Sequence, residues 1–317
     1  MSQNEVMRTQ DAPPAAHPVV KAILPGRDRL QSRLLVLFGI PVLCFVAWEG
    51  VRYTTAAGPS GGIYLTVAFA ASLFLGLAAW RLRAATPAAA ACGALICFDL
   101  TVLTGNPKGG SVFHSGLSPL ICLFVLTHAA TRFHRRRKPM TSDEEQRRGR
   151  NAAQVIANLG IAAVAGLQYY WVYRGAPQSQ IGMAAFPALQ VPMLSALAEA
   201  TADTVSSEIG QAVGGTPFLL LGFRRVPPGT DGGVSAIGTL TGIAAAFGIG
   251  LIGSPALGMS TRQVAHVVIA AAAGLFFDSL LGATLERRGW IGNDGVNFAS
   301  TCFAAVIAIF LNRAVFG

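Results

Sequence analysis

Charge is what this chain has least of. Only 12% of its 317 residues are Asp, Glu, Lys or Arg, about half the share that covers a water-facing surface. Cysteine is scarce as well. Cys44, Cys92, Cys97, Cys122 and Cys302 all lie inside apolar runs, and none has a partner at a zinc spacing. That excludes a disulfide scaffold and a zinc finger. No GxxxxGK[ST] phosphate loop and no kinase glycine-rich loop occurs. The 36 glycines have no triplet period, which removes collagen. The first 33 residues are polar, with Pro13, Pro14 and Pro25, and carry no apolar core before a cleavage site. They read as a cytoplasmic tail rather than a signal peptide.

What is plentiful is apolar sequence: 52% of residues are hydrophobic and the mean hydropathy is +0.51. A bilayer-crossing helix needs about 20 mostly apolar residues. Nine stretches qualify or nearly do: Leu34–Trp48, Ile63–Trp80, Ala84–Leu103, Val112–Thr131, Ala152–Tyr173, Met183–Ala202, Val234–Ile252, Val264–Leu285 and Phe298–Phe316. The expected fold is all-α, a polytopic integral membrane protein of about nine transmembrane helices. The expected organisation is a polar tail over 1–33, a four-helix membrane segment over 34–131, a basic loop over 132–150, and a five-helix segment over 151–317 that carries the site.

The net charge of +9 sits between apolar runs, where it orients a membrane protein rather than binding nucleic acid. With the N-terminus cytoplasmic, nineteen of the 24 Lys and Arg fall on the inside. The expectation is a multi-pass protein of the plasma or inner membrane. Trp48, Trp80, Trp171 and Trp290 fall near span ends, as an aromatic belt does. The loop Arg132–Arg150 reads either as a solvated, topology-setting run or as a patch for anionic headgroups.

The acids mark where chemistry sits, because an ionisable residue at membrane depth is a functional candidate. Glu199, Asp203 and Ser206 or Ser207 share a helical face by spacing, with Glu208 off that line. Counted from Met183, Asp203 reaches the cytoplasmic end of its span. In GFRRVPPGTDGGVSAIGT, Gly222–Thr239, the turn exposes backbone N–H groups that can cradle phosphate. Arg224, Arg225, Thr230 and Ser235 add charge and hydroxyls to it. Gly274, Asp278, Gly282 and Glu286 recur every four residues, and Asn293, Asp294 and Asn297 follow. Such oxygen-only ligands suit Mg²⁺. The Gly238–Gly242 spacing reads as close helix packing.

RNAAQVIANLG (Arg150–Gly160), ADTVSSEIG (Ala202–Gly210), VPPGTDGGVS followed by IGT (Val226–Thr239), DSLLGATLE (Asp278–Glu286) and NDGVN (Asn293–Asn297) resemble, in order and spacing, one membrane family. It is the family of plant phytyl-phosphate kinase and transmembrane protein 19, formerly domain of unknown function 92. It is distantly similar to dolichol kinase, phytol kinase and CDP-diacylglycerol synthases. The resemblance implies a kinase dependent on CTP or another nucleotide, with Mg²⁺ or Mn²⁺, that converts a polyprenyl monophosphate to the diphosphate. It implies Asp203, Glu208, Asp278 and Asp294 as catalytic acids, with Asp203, Asp278 and Asp294 on the metal. Gly229, Thr230, Gly232 and Ser235 would hold phosphates, assisted by Asn293 and Asn297. A cytidylyltransferase making a CDP-lipid, and a transporter or other non-catalytic membrane protein, are the competing readings. The bilayer and an isoprenoid phosphate are the expected partners, and the sequence leaves room for an oligomer.

Overall fold

The protein was analysed as a computed structural model, which describes residues 25–134, 149–175 and 186–316. Among the described residues, nine long helices lie at or near the nine expected spans. They are α1 (Pro25–Thr55), α2 (Pro59–Arg81), α3 (Pro87–Thr104), α4 (Leu117–Arg132), α5 (Ala152–Gly175), α7 (Val191–Val213), α8 (Ala236–Leu257), α9 (Thr261–Leu281) and α10 (Asn293–Phe316). A single turn, α6 (Phe186–Leu189), precedes α7. The strands among the described residues are two short ones, β1 (Phe218–Leu219) and β2 (Gly233–Val234), paired antiparallel. The fold is that of an all-α polytopic membrane protein.

Among the described residues, six helices are long and apolar enough to cross a bilayer: α1, α2, α3, α8, α9 with the turn after it, and α10. α4 and the described part of α5 are apolar but shorter. α1 and α2 turn large apolar side chains outward, among them Leu37, Phe38, Ile63, Phe69 and Phe74, which is what a lipid-facing surface requires. Trp80 and Trp290 lie exposed beside helix ends, whereas Trp48 sits two turns before the end of α1.

α7 is the exception. Glu199, Asp203 and Glu208 make it too polar to pass as a lipid-facing span, and it does not face lipid. Fifteen of its 23 residues are buried, and α4, α5, α8, α9 and α10 all pack against it. Small residues let the neighbours approach. A Cβ on Gly238 would press on the Ser206 carbonyl oxygen at 2.7 Å, and one on Gly242 on the Ala202 carbonyl oxygen at 2.7 Å. The Gly238–Gly242 spacing is therefore helix packing, as expected.

Three boundaries differ from the sequence expectation. α1 begins at Pro25, inside the stretch read as tail, because proline is well suited to a first helical turn. α7 begins at Val191, with Pro192 in its first turn. Asp203 is thus in mid-helix, ten residues or about 15 Å before the Val213 end, rather than at the helix terminus. α9 ends in a π-helical turn, Gly282–Glu286. Residues 1–24, most of the basic loop, the Met183 start of the sixth span and the Trp171 side chain lie outside the described residues.

Candidate functional site

One end of the bundle gathers the starts of α1, α3, α5, α8 and α10 and the ends of α2, α4, α7 and α9. Two chain segments are stitched together there. Arg150 N–H donates to the Ala84 carbonyl at 3.0 Å, and Thr86 N–H donates to the Arg150 carbonyl at 3.0 Å. Each segment then enters a helix through its own cap. Thr86 Oγ1 accepts from Ala89 N–H ahead of α3. Asn151 and Gln154 exchange side-chain and backbone bonds at 3.0 and 2.8 Å ahead of α5, a reciprocal cap that satisfies two N–H groups the helix cannot.

The clasp fixes Arg150 against α7. Its Nη2 donates to Thr204 Oγ1 at 3.1 Å. Burial pushes the guanidinium's pKa down, and the charges of Glu208 and Asp203 hold it up, so an Arg beside two acids closes this side of α7. Arg132 Nη2 donates to the Leu82 carbonyl at 3.1 Å. Arg83 holds a left-handed backbone at φ 56°, a conformation uncommon outside glycine.

These residues border a cleft of about 560 Å³, within the usual range for a small-molecule site. Its mouth is polar, with Arg83, Arg132, Arg150, Gln154, Asp203, Thr204, Ser207, Glu208, Asn293 and Asn297. Its inner part is apolar and runs between α2, α3 and α4 past Leu75, Gly76, Ala90, Gly93, Leu120, Leu123 and Phe124.

Behind Asp203 lies a second layer. Glu199 is 1% exposed, and Asp278 stands within charge–charge reach of Asp203, Glu199 and Glu286. Gly274 is what admits Glu199, since a Cβ there would meet Glu199 Cγ at 2.5 Å. One oxygen each of Glu199 and Asp278 is buried without a hydrogen-bond partner. An unpartnered buried carboxylate oxygen is costly, so this layer suits a cation or a proton. Among the described residues, no three His, Cys, Asp or Glu side chains gather closely enough to enclose a metal by themselves.

The expected site residues therefore divide. Asp203, Glu208, Asn293 and Asn297 line the cleft, and Asp278 backs it. Asp294 is buried and accepts from Ser32 Oγ of α1 at 2.6 Å. The glycine-proline turn lies elsewhere. Arg224 and Arg225 are exposed and do not line the cleft. Thr230 Oγ1 donates to the Pro227 carbonyl at 2.7 Å, and Ser235 caps α8. Gly229, at φ 82°, shapes the turn. Gly232, at φ 72°, packs its backbone on Gly282, where a Cβ on Gly282 would meet Gly232 N at 2.7 Å. The turn thus docks onto the end of α9 beside Asp278. Arg83, Arg132, Arg150 and His128 line the cleft without having been expected as site residues. For Arg150 a signal existed, because it opens the RNAAQVIANLG string.

A family model for "Integral membrane protein DUF92" matches residues 70–305. The chain belongs to this family. The match covers every helix bordering the cleft, starting within α2, and leaves α1 outside. Among its relatives, the DUF92 chain is similar to Protein VTE6, chloroplastic, of Arabidopsis thaliana, with 29% identity over 229 residues, 71% of this chain and 66% of that protein. It is also similar to an uncharacterised membrane protein of Methanocaldococcus jannaschii, with 38% identity over 118 residues, 37% of this chain and 49% of that protein. A third relative, an uncharacterised membrane protein of Synechocystis, is 29% identical over 195 residues, 61% of this chain and 72% of that protein. The DUF92 chain thus spans just under two thirds of the plant protein and about half of the archaeal one. No solved structure matches it.

Proposed function

We propose that this protein is a membrane-embedded kinase that moves the terminal phosphate of a nucleoside triphosphate, CTP in the first instance, onto a polyprenyl monophosphate of the phytyl- or geranylgeranyl-phosphate type. The observation that carries the reading is the cleft: an arginine- and acid-lined mouth continuous with an apolar limb among membrane helices. A lipid phosphate has that same division of polarity. The motif resemblance to the plant phytyl-phosphate kinase family supports the same reaction. The excess of basic residues at the mouth end argues that the mouth faces the cytoplasm, where nucleotide is available.

In this reading an oxygen of the acceptor phosphate attacks the γ-phosphorus. The bond from that phosphorus to the β–γ bridging oxygen breaks, and the nucleoside diphosphate leaves with the electron pair. The acceptor is already ionised, so no strong base is needed. Catalysis is then mostly positioning and charge neutralisation. Arg83, Arg132 and Arg150 would neutralise phosphate oxygens, Arg150 held in place by the backbone clasp and Thr204. Asn293 and Asn297 offer amide donors from the first turn of α10. Asp203 would hold Mg²⁺ or Mn²⁺ with Asp278 behind it, and such an ion supplies charge neutralisation on the phosphates. Phosphate and water oxygens would complete its shell, as Mg²⁺ prefers.

The test is turnover by the purified protein with radiolabelled CTP, ATP, GTP or UTP against prenyl alcohols and prenyl monophosphates. The expected products are nucleoside diphosphate and prenyl diphosphate. Pyrophosphate with a CDP-lipid would make the enzyme a cytidylyltransferase instead, and no turnover with any pair would overturn both. Asp203→Asn should abolish transfer at unchanged folding yield, because Asn keeps the shape and loses the charge. Full activity in that variant would remove Asp203 from the chemistry.

A further inference from the structure

The inner limb of the cleft differs from ordinary space between helices in how its walls are built. α2 and α3 touch at Gly76, where a Cβ would meet the Ala90 carbonyl oxygen at 2.9 Å, so that wall is closed by backbone. One turn deeper on α3, Gly93 has room in front of it. A Cβ there would meet only Val155 Cγ1, at 3.9 Å, which is ordinary contact. The opposite wall is α4, with Leu120, Leu123 and Phe124. From Arg132 at the mouth to Leu120 is twelve residues of helix, about 18 Å of depth. The cleft of about 560 Å³ includes the mouth, and its apolar limb is a narrow slot between three helices.

We propose that this limb holds the single hydrocarbon chain of the lipid monophosphate, and that Gly93 and Leu120 set how long a chain it accepts. The proposal rests on the kinase reading only for the chemistry at the mouth. Three features of the cleft favour this occupant. The arginines stand where its phosphate would end. The limb is continuous with them. Its walls carry the chain's own apolar character. Gly93 is a specificity-determining position because an added side chain there enters free space without straining the backbone. Leu120, 3% exposed, lines the same cleft deeper on α4, about 18 Å along the helix from Arg132, so trimming it adds space at the far end.

The experiment is equilibrium binding of radiolabelled geranylgeranyl monophosphate to the full chain in nanodiscs without nucleotide, with geranyl and farnesyl monophosphates as competitors. Wild type should bind more tightly as the chain lengthens. Gly93→Leu should weaken geranylgeranyl monophosphate by roughly tenfold or more, the scale of apolar-pocket discrimination, and leave geranyl monophosphate within about twofold. Gly93→Ala should shift the profile the same way by less. Leu120→Ala should move the preference towards longer chains, which keeps the proposal testable if Gly93→Leu fails to fold. An unchanged length profile, or an equal loss for all three lipids, would overturn it. The two readings fail separately. Length-graded binding without transfer from any nucleotide keeps the limb and sinks the kinase. Transfer with a length profile insensitive to Gly93 and Leu120 keeps the kinase and sinks the limb.

Discussion

Arg150 and Arg225 stand at the same end of the bundle, each in a short turn rich in small residues, and meet different surroundings. Arg150 is half-buried, tied by two backbone hydrogen bonds to the α2–α3 turn, and its guanidinium lies against Thr204 of the central helix. Arg225 is exposed beside Phe218 and Phe223 in a shallow hollow away from the cleft. Both turns could present cations to a phosphate if judged by composition. The difference is closure. The 149–150 segment is pinned between two helix caps and has the polar face of α7 in front of it. The 222–233 turn is pinned through its glycine backbone to α9, with its arginines exposed and outside the cleft lining. A charge acts in a site when the backbone behind it is fixed and the space before it is shared with other polar groups.

The sharpest way to break this comparison is Arg150→Gln. It should lower transfer by roughly 10²-fold, the scale of losing one preorganised charge-stabilising donor, with yield near wild type. Loss of less than about threefold, measured as kcat/KM, would put the two arginines on an equal footing. Thr204→Val should have the next largest effect. It removes the acceptor that orients Nη2 and should cost about tenfold, since bonds to charged groups contribute about 1.5–3 kcal/mol. Adding it to Arg150→Gln should change little more, because both act through one contact.

Gly232→Ala should affect stability rather than turnover. The new Cβ would run into Ala283 N and the Ser279 carbonyl, and the backbone there is left-handed. The combined cost is about 2–4 kcal/mol, read as a lowered Tm, with activity per folded molecule largely kept. A raised nucleotide KM at normal Tm would return this turn to the site. The smallest effect is expected for Arg224→Ala with Arg225→Ala, within about twofold in KM for any nucleotide. A tenfold rise would show that the exposed turn folds over the cleft during the reaction.

Much of this was legible in the residues. Helix positions follow from apolar run length, and the close approach of α8 to α7 follows from Gly238 and Gly242. The acids Asp203 and Asp278 stand out because carboxylates are rare among lipid-facing helices. Two things were not legible. The depth of Asp203 depended on where α7 begins, and the proline pair at 187 and 192 allows several starts until neighbouring helices choose one. Arg150 ends a run of basic residues and opens the RNAAQVIANLG string, but neither feature says what it packs against. Its role depends on a backbone ladder to Ala84 and Thr86, more than sixty positions earlier. The same non-local closure explains why the site draws on α2, α3 and α4 as well as the acid-rich segment after residue 150.

The contacts that α1 makes at the start of α10 have a consequence for how the molecule is made. Gln31 grips the Trp290 carbonyl and the Gly292 N–H at 3.0 and 2.8 Å, and Ser32 reaches Asp294. These partners are separated by 259 to 262 positions. A ribosome adding about 5–20 residues per second leaves Ser32 waiting roughly tens of seconds for Asp294 to emerge. Until then the first helix sits in the bilayer with its polar collar unmatched, and the turn bearing Asn293 and Asn297 does not yet exist. α1 is thus joined to the entry of α10, a helix made much later. Truncation anywhere before residue 290 leaves Gln31 and Ser32 without these partners, so the start of α1 has nothing polar to dock on.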